Sequence, residues 1–231
     1  LIDMVAYQKQ NNDLNRLNEI KSNQTDQNLA FDIAKSTQAI FLAEILYKTI
    51  NEQESFPEMF DFIKNALLYF DLMNEGSSNF HLFFLYRLTE YLGFLPTTTK
   101  TSFEGWFDMK KGKIVPFQPS HPLFANKEVT EFLIQLSKLK ISQLGDFKIS
   151  RSMRDSLLGV LLDYYQLHFD NLGTIYRQSI PINEFYAEFY DESFIYSRIP
   201  SITSNNNFNN FNNFNNCEFS KKFIFFQKLF N

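Results

Sequence analysis

The chain has 231 residues, 44% hydrophobic and 17% aromatic with 28 Phe, enough apolar material for the core of one helical domain with a small appendage. A formal net charge of −4 and a pI near 5.5 exclude coating of nucleic acid by bulk positive charge, and leave only local clusters of Lys and Arg for that task. Cys217 is the only cysteine, which excludes an intrachain disulfide and a cysteine-based zinc site.

Residues 1–31 place apolar side chains at Ile2, Met4 and Ala6 and again at Leu14, Leu17 and Ile20, with the polar run 10–13 between them. This predicts a strand, a turn and a second strand, although the spacing of three between Leu14 and Leu17 breaks the alternation. From 32 to 53 the residues Ile33, Ile40, Phe41, Ile45, Leu46 and Ile50 recur at helical spacing, with Asp32 as N-cap. Ser55 and Glu58 have capping-box form around Pro57, and the helix they open is expected to run to about Asn74. A third helix, 78–92, is apolar on nearly every side through Phe80, Leu82, Phe83, Phe84, Leu85, Leu88, Tyr91 and Leu92. Such a helix is central to its domain, and Gly93 and Pro96 stop it.

Between Pro96 and Pro122 the period lapses, and WFD and KIVPF flank a Lys110-Lys111-Gly112 turn. A small surface β-hairpin within about 97–119 is predicted, held by Phe103, Trp106 and Phe107. Two helices follow, 126–139 and 150–169, the second with Ser150 as cap and a stripe of Met153, Leu157, Val160, Leu161 and Tyr164. A short helix is expected over 182–190, after Pro181. Residues 204–216, SNNNFNNFNNFNN, are low-complexity and belong to a tail, 201–231, expected to be disordered. That tail reads either as a prion-like segment or as an out-of-frame stretch, and its basic, apolar end is the one segment with a membrane-surface pattern. No apolar run approaches the roughly 18 residues that span a bilayer, so no membrane partner is expected.

His81, His121 and His168, the only histidines, fall in three separate segments. A core position, a turn and a helix end whose dipole suits a partial positive charge are the expected roles. The acids Glu44, Glu52, Glu58, Asp61 and Glu90 read as solvated helix faces; a two-metal nuclease would need them to converge. There is no GxSxG elbow, P-loop or GxGxxG turn, so no catalytic, cofactor or metal residue is assigned. Basic residues form three groups: Lys9, Arg16 and Lys21 near the start; Lys100, Lys110, Lys111 and Lys113 around the hairpin; and Lys148, Arg151 and Arg154 at the start of the long helix. Residues 1–35 carry four basic and five acidic side chains, so the first group has no net local field. Arg151 and Arg154 stand where the helix dipole prefers acids, which hints at an acidic partner.

FLYRLTEYLGFLP at 84–96, WFDMKKGKIV at 106–115, PSHP at 119–122 and LLDYYQLHF at 161–169 occur in an order that resembles the helical C-terminal part of RecO. The form it resembles is the zinc-less one of Bacteroidetes-type sequences. FDIAKSTQAIFLAEILYKTI at 31–50 and PEMFDFIKNALLYFD at 57–71 resemble that family's first two helices. The resemblance implies a mainly α fold: a helical domain over 32–200 with a β-hairpin insertion, preceded at 1–31 by the remnant of an N-terminal OB-fold barrel. Because the sequence opens on Leu1 rather than Met, a fragment, a processed product or an incomplete frame is expected. The four cysteines that hold zinc in many family members are absent here, so no cofactor is expected.

The resemblance further implies a non-enzymatic recombination mediator in the cytoplasm, associated with the nucleoid. Its partners would be single- and double-stranded DNA, RecR and the acidic tail of single-strand-binding protein, and it would assist strand annealing and RecA loading. Charge and location nominate Lys9, Arg16 and Lys21 for DNA, and Lys148, Arg151 and Arg154 for the acidic partner. A helical adaptor without DNA binding is the alternative; a metal-dependent nuclease is the remoter one.

Overall fold

The computed structural model describes residues 2–7, 16–22, 29, 32–50, 56–97, 105–169 and 172. They fall into two compact units, one within Leu1–Met73 and one within Asn74–Phe208. The helix expected over 182–190 and the Asn/Phe tail lie outside the described residues.

In the first unit, strands β1 (Ile2–Tyr7) and β2 (Arg16–Ser22) pair antiparallel. Val5 stands opposite Glu19 and Ala6 opposite Leu17, so Asn18 is an extra residue in the ladder. A bulge of this kind sets two residues of one strand against one of its partner and locally increases the twist. Helix α1 (Ile33–Thr49) begins as expected: Asp32 Oδ1 accepts the amides of Ala34 at 2.9 Å and Lys35 at 3.1 Å. It ends sooner than expected, because Ile50 is already extended. Helix α2 (Pro57–Leu72) also departs from expectation at its start. Its N-cap is Phe56, which offers no side-chain acceptor, and the first turn relies on Pro57, whose missing N–H leaves one orphan donor fewer. Ser55 lies outside the described residues.

Lys35 organises this unit. It is 5% exposed, and its ammonium donates to the carbonyls of Asp71 at 2.8 Å and Met73 at 2.6 Å. Those acceptors close the C-terminal end of α2, where orphan carbonyls and the negative end of the dipole favour a cation. Asp71 in turn accepts the amide of Leu29, which ties the segment before α1 to the end of α2.

The second unit is built around α3 (Phe80–Tyr91), entered through a 3₁₀ turn at Ser77–Asn79. Phe80, Leu82, Phe84, Leu85 and Leu88 are fully buried, as an all-round apolar helix requires. Helices α4 (Lys127–Lys138) and α5 (Arg151–Gln166) pack on it and on each other. Ser150 caps α5 as the sequence predicts, its Oγ accepting from Met153 N at 3.2 Å, and Asn126 caps α4 in the same way, its Oδ1 accepting from Val129 N at 2.8 Å. Arg87 of α3 closes the far end of α4 by donating to the carbonyls of Ser137 at 3.3 Å and Leu139 at 2.8 Å. Gly76 enters the 3₁₀ turn at φ +74°, and a Cβ there would lie 2.5 Å from the Leu144 carbonyl, so the close approach admits only glycine.

The expected hairpin is present as β3 (Trp106–Asp108) and β4 (Lys113–Val115), paired antiparallel. A third strand, β5 (Phe124–Ala125), adds to the other side of β3 and makes the order β4-β3-β5. The sheet is fixed to the helices by β3. Phe107 is 1% exposed with its ring edge-on to Tyr164 at 5.2 Å, and its amide donates to Thr130 Oγ1 of α4 at 3.0 Å. Trp106 meets Phe124 edge-on within the sheet at 5.3 Å, and Phe103 lies outside the described residues.

Replacing Lys35 by Met keeps the stem and removes the ammonium that donates to the Asp71 and Met73 carbonyls. A loss of about 2 kcal/mol is expected in chemical unfolding, after allowing for the ammonium that no longer needs burying. A loss below about 0.5 kcal/mol, the range of an ordinary surface change, would mean that water already serves these carbonyls.

Candidate partner-binding site

The start of α5 gathers the cations that the sequence nominates for an acidic partner. Lys148 and Arg151 are exposed, and neither makes an ion pair among the described residues. No acid occupies the first turn of the helix, so the positive end of the dipole and the two side-chain charges reinforce one another. Exposed donors at the positive end of a helix are suited to carboxylates, with the acids Asp146 and Asp155 exposed on either side in sequence.

Arg154, one turn on, is turned inward. Its Nε donates to Asn79 Oδ1 at 2.9 Å, and its Nη2 reaches Ser78 Oγ at 3.5 Å. Asn79 is 4% exposed and donates from Nδ2 to the Phe147 carbonyl at 2.7 Å. The side chain therefore joins the 3₁₀ turn, the loop before α5 and α5 itself. Asn79 carried no signal in the sequence, because its partners lie 68 and 75 positions away. Beneath this bridge His81 is buried, and its pKa is pushed down to about 3, first by burial and then by the Arg154 charge. It is a neutral core histidine at ordinary pH.

Of the residues nominated for DNA, Lys9 lies outside the described residues. Arg16 and Lys21 stand in β2 at register positions opposite Tyr7 and Asp3, and their side chains are likewise outside the description.

A polar cluster that the sequence did not announce holds the small sheet. Asp108 of β3 is fully buried, with His121 Nε2 3.2 Å from Oδ1 and Lys111 Nζ 3.3 Å from Oδ2. The Lys111 amide also donates to Oδ1 at 3.1 Å. Burial alone would raise the Asp108 pKa, but the Lys111 amide, the Lys111 ammonium and His121 together hold it below the ordinary value. This donor set does not fit a structural zinc: Asp108 and His121 supply two ligands, and the third group at the carboxylate is an ammonium. Among the described residues no three metal-ligating side chains converge anywhere. His168, expected to carry partial positive charge, instead stacks on Phe94 at 4.3 Å, and desolvation lowers its pKa.

These features define a class: a helical domain that carries a small polar-clasped sheet and a cationic helix start. The family described as "Recombination protein O C terminal" matches residues 30–173. The DNA repair protein RecO of Azobacteroides pseudotrichonymphae genomovar. CFP2 is 32% identical over 141 residues, 61% of this chain and 58% of that protein. That of Phocaeicola vulgatus is 31% identical over 175 residues, 76% and 73% of the two chains. That of Flavobacterium psychrophilum is 31% identical over 170 residues, 74% and 70%. The chain belongs to the RecO family. It spans 58% of the length of the first of these relatives, and no solved structure matches it. Each of these three relatives is named as a DNA repair protein. No helix among the described residues is long and apolar enough to cross a membrane.

Two measurements test the bridge. Arg154→Met orphans the buried Asn79 oxygen and is expected to cost about 1–3 kcal/mol, whereas Arg151→Met should stay within about 0.5 kcal/mol; equal losses would contradict the division of labour. His81 takes up a proton near 6.5 when unfolded and only near 3 when folded. The unfolded chain therefore binds more protons in that interval, and stability falls as pH drops from about 6.5, by up to about 1.4 kcal/mol per unit. His81→Gln should flatten that slope in pH-dependent unfolding, and an unchanged slope would refute the assignment.

Proposed function

We propose that this chain is a non-enzymatic mediator of DNA repair and recombination, located in the cytoplasm with the nucleoid. On this reading it binds single- and double-stranded DNA, RecR and the acidic tail of single-strand-binding protein, and assists strand annealing and the loading of RecA. The observation that carries the reading is the family match across residues 30–173. The exposed cations Lys148 and Arg151 at the α5 start support the acidic-tail part of it, since a short acidic peptide is recognised by clustered basic side chains at such an end. Strands β1 and β2 are then the remaining part of the OB barrel, with Lys9, Arg16 and Lys21 serving phosphates in a single-strand groove. No zinc or other cofactor enters this mechanism.

The test uses the full chain, labelled single-stranded DNA and a peptide of the tail of the host single-strand-binding protein, each across a salt series. Both are expected to bind, and binding should weaken as salt rises. The double substitution Lys148→Glu with Arg151→Glu is expected to weaken the peptide about tenfold, since it reverses two charges at the contact. Peptide binding without any DNA binding would replace the mediator by an adaptor. Binding of neither would refute the proposal.

A further inference from the structure

The turn between β3 and β4 carries Lys110, Lys111 and Lys113 within four positions, and its only acid, Asp108, is buried beneath it. Lys110 and Lys113 are exposed; Lys111 is 61% exposed even while its ammonium lies on Asp108. The turn is held on all sides. Gly112 takes φ +61° and passes so close to Tyr164 that a Cβ would sit 2.7 Å from the phenol oxygen. Its carbonyl accepts from Thr97 N at 2.8 Å, its amide donates to Met109 O at 3.4 Å, and Met109 N donates to Leu123 O at 3.2 Å. The lysines therefore leave a fixed platform, which lowers the ordering cost of binding.

Phe117 follows β4 directly and is 81% exposed, between Pro116 and Pro119. It stands four positions from Lys113, so the two Cα atoms lie at most about 14 Å apart. The loop that carries it is pinned at its return, where His121 meets Asp108. A lone exposed Phe is ordinary on a protein surface. Here it stands beside a rigid cationic turn with no exposed acid anywhere in 105–125, and that pairing of fixed positive charge with a bare aromatic face is the chemistry that holds single-stranded nucleic acid.

We infer that the β3–β4 turn with Phe117 is a single-stranded nucleic-acid contact: Lys110 and Lys113 meet successive phosphates, and the Phe117 ring takes an unpaired base. Duplex DNA offers phosphates but no free base face, so the aromatic half of the site discriminates for single strands. An acidic peptide is the weaker fit, because it gives the Phe117 ring no flat partner. The inference rests on the DNA-binding reading proposed above and adds to it a site in the second unit, separate from β1 and β2.

Anisotropy of a labelled oligothymidine with the full chain, in a salt series, tests it. Lys110→Glu with Lys113→Glu is expected to weaken binding at least about tenfold, and to reduce the salt slope by about 1.4 as two single-strand phosphate contacts are lost. Phe117→Ala is expected to weaken it about fivefold at an unchanged slope, and to leave duplex binding as it was. All three positions are exposed, so unaltered thermal unfolding should accompany these losses; Lys111 is kept because of its bond to Asp108. If the unsubstituted chain binds the oligothymidine and both variants match it, this site is refuted while the DNA-binding reading stands. Failure of the unsubstituted chain to bind refutes both. Equal loss of duplex and single-strand binding in Phe117→Ala, or a loss confined to the acidic tail peptide, also refutes the site.

Discussion

A helix with apolar side chains on every face has to be wrapped, and the second unit is the wrapping of α3. Phe80, Leu82, Phe84, Leu85 and Leu88 reach complete burial only because α4 and α5 cover it together. Helix α5 does so with two adjacent tyrosines. Tyr165 is fully buried and donates to the Leu85 carbonyl at 2.8 Å; Tyr164 donates to the Phe94 carbonyl, just past the end of α3, at 2.9 Å. A buried phenol without an acceptor would cost about 1–3 kcal/mol, so these bonds set the register of α5 along α3. Burial raises both phenol pKa values, Tyr165 well above its ordinary value, and both remain donors at any pH the fold meets. The Tyr164 ring also receives Phe107 and, through the close pass of Gly112, the β3–β4 turn. One side chain thus links the helix end to the sheet.

Several cations of this acidic chain are consumed in holding it together. Lys35 closes α2, Arg87 closes α4, and Arg154 bridges Asn79 and Ser78. Each does so by donating to backbone or amide oxygens that would otherwise be orphaned, a use in which a charge is worth more than in a surface pair. Counting Lys and Arg therefore overstates the surface available for phosphate. Exposed Lys and Arg among the described residues of the second unit stand at the α5 start, at the β3–β4 turn, and at Lys127, Lys138 and Lys140; the first two places each combine their charges with a further feature, and they differ in kind. The first adds a helix dipole to its charges, which suits carboxylates; the second adds an aromatic ring.

The parts of the fold that could be read from the sequence are those set by neighbours within a few residues. Asp32 and Ser150 cap their helices, and the all-round apolar pattern placed α3 at the centre. The misses have a common origin. Strand β5 is two residues long and has no period to detect. The N-cap position of α2 is Phe56, one residue after the Ser55 nominated for it, and it offers no side-chain acceptor. Asn79, the His121–Asp108 pair and the inward turn of Arg154 join residues remote in sequence, where no spacing rule applies. Composition nominated Lys148, Arg151 and Arg154 as one group, but burial divides it, because a helix face that meets a neighbour after one turn cannot leave both arginines in solvent.

Two effects hold the small sheet, and they differ in size. In the Asp108 clasp the ammonium partner is 61% exposed, and such a pair contributes only about 0–1 kcal/mol. With its pKa held below the ordinary value, Asp108 adds stability above the usual carboxylate range and loses it as pH falls through the lowered pKa. Complete burial of the Phe107 ring is worth about 1.5–3 kcal/mol, and its amide is satisfied by Thr130 as well. Packing of β3 on α4 and α5 therefore carries the attachment of the sheet. The clasp serves geometry: it forces the turn and the returning loop to meet at one carboxylate, which fixes where Lys110, Lys113 and Phe117 emerge.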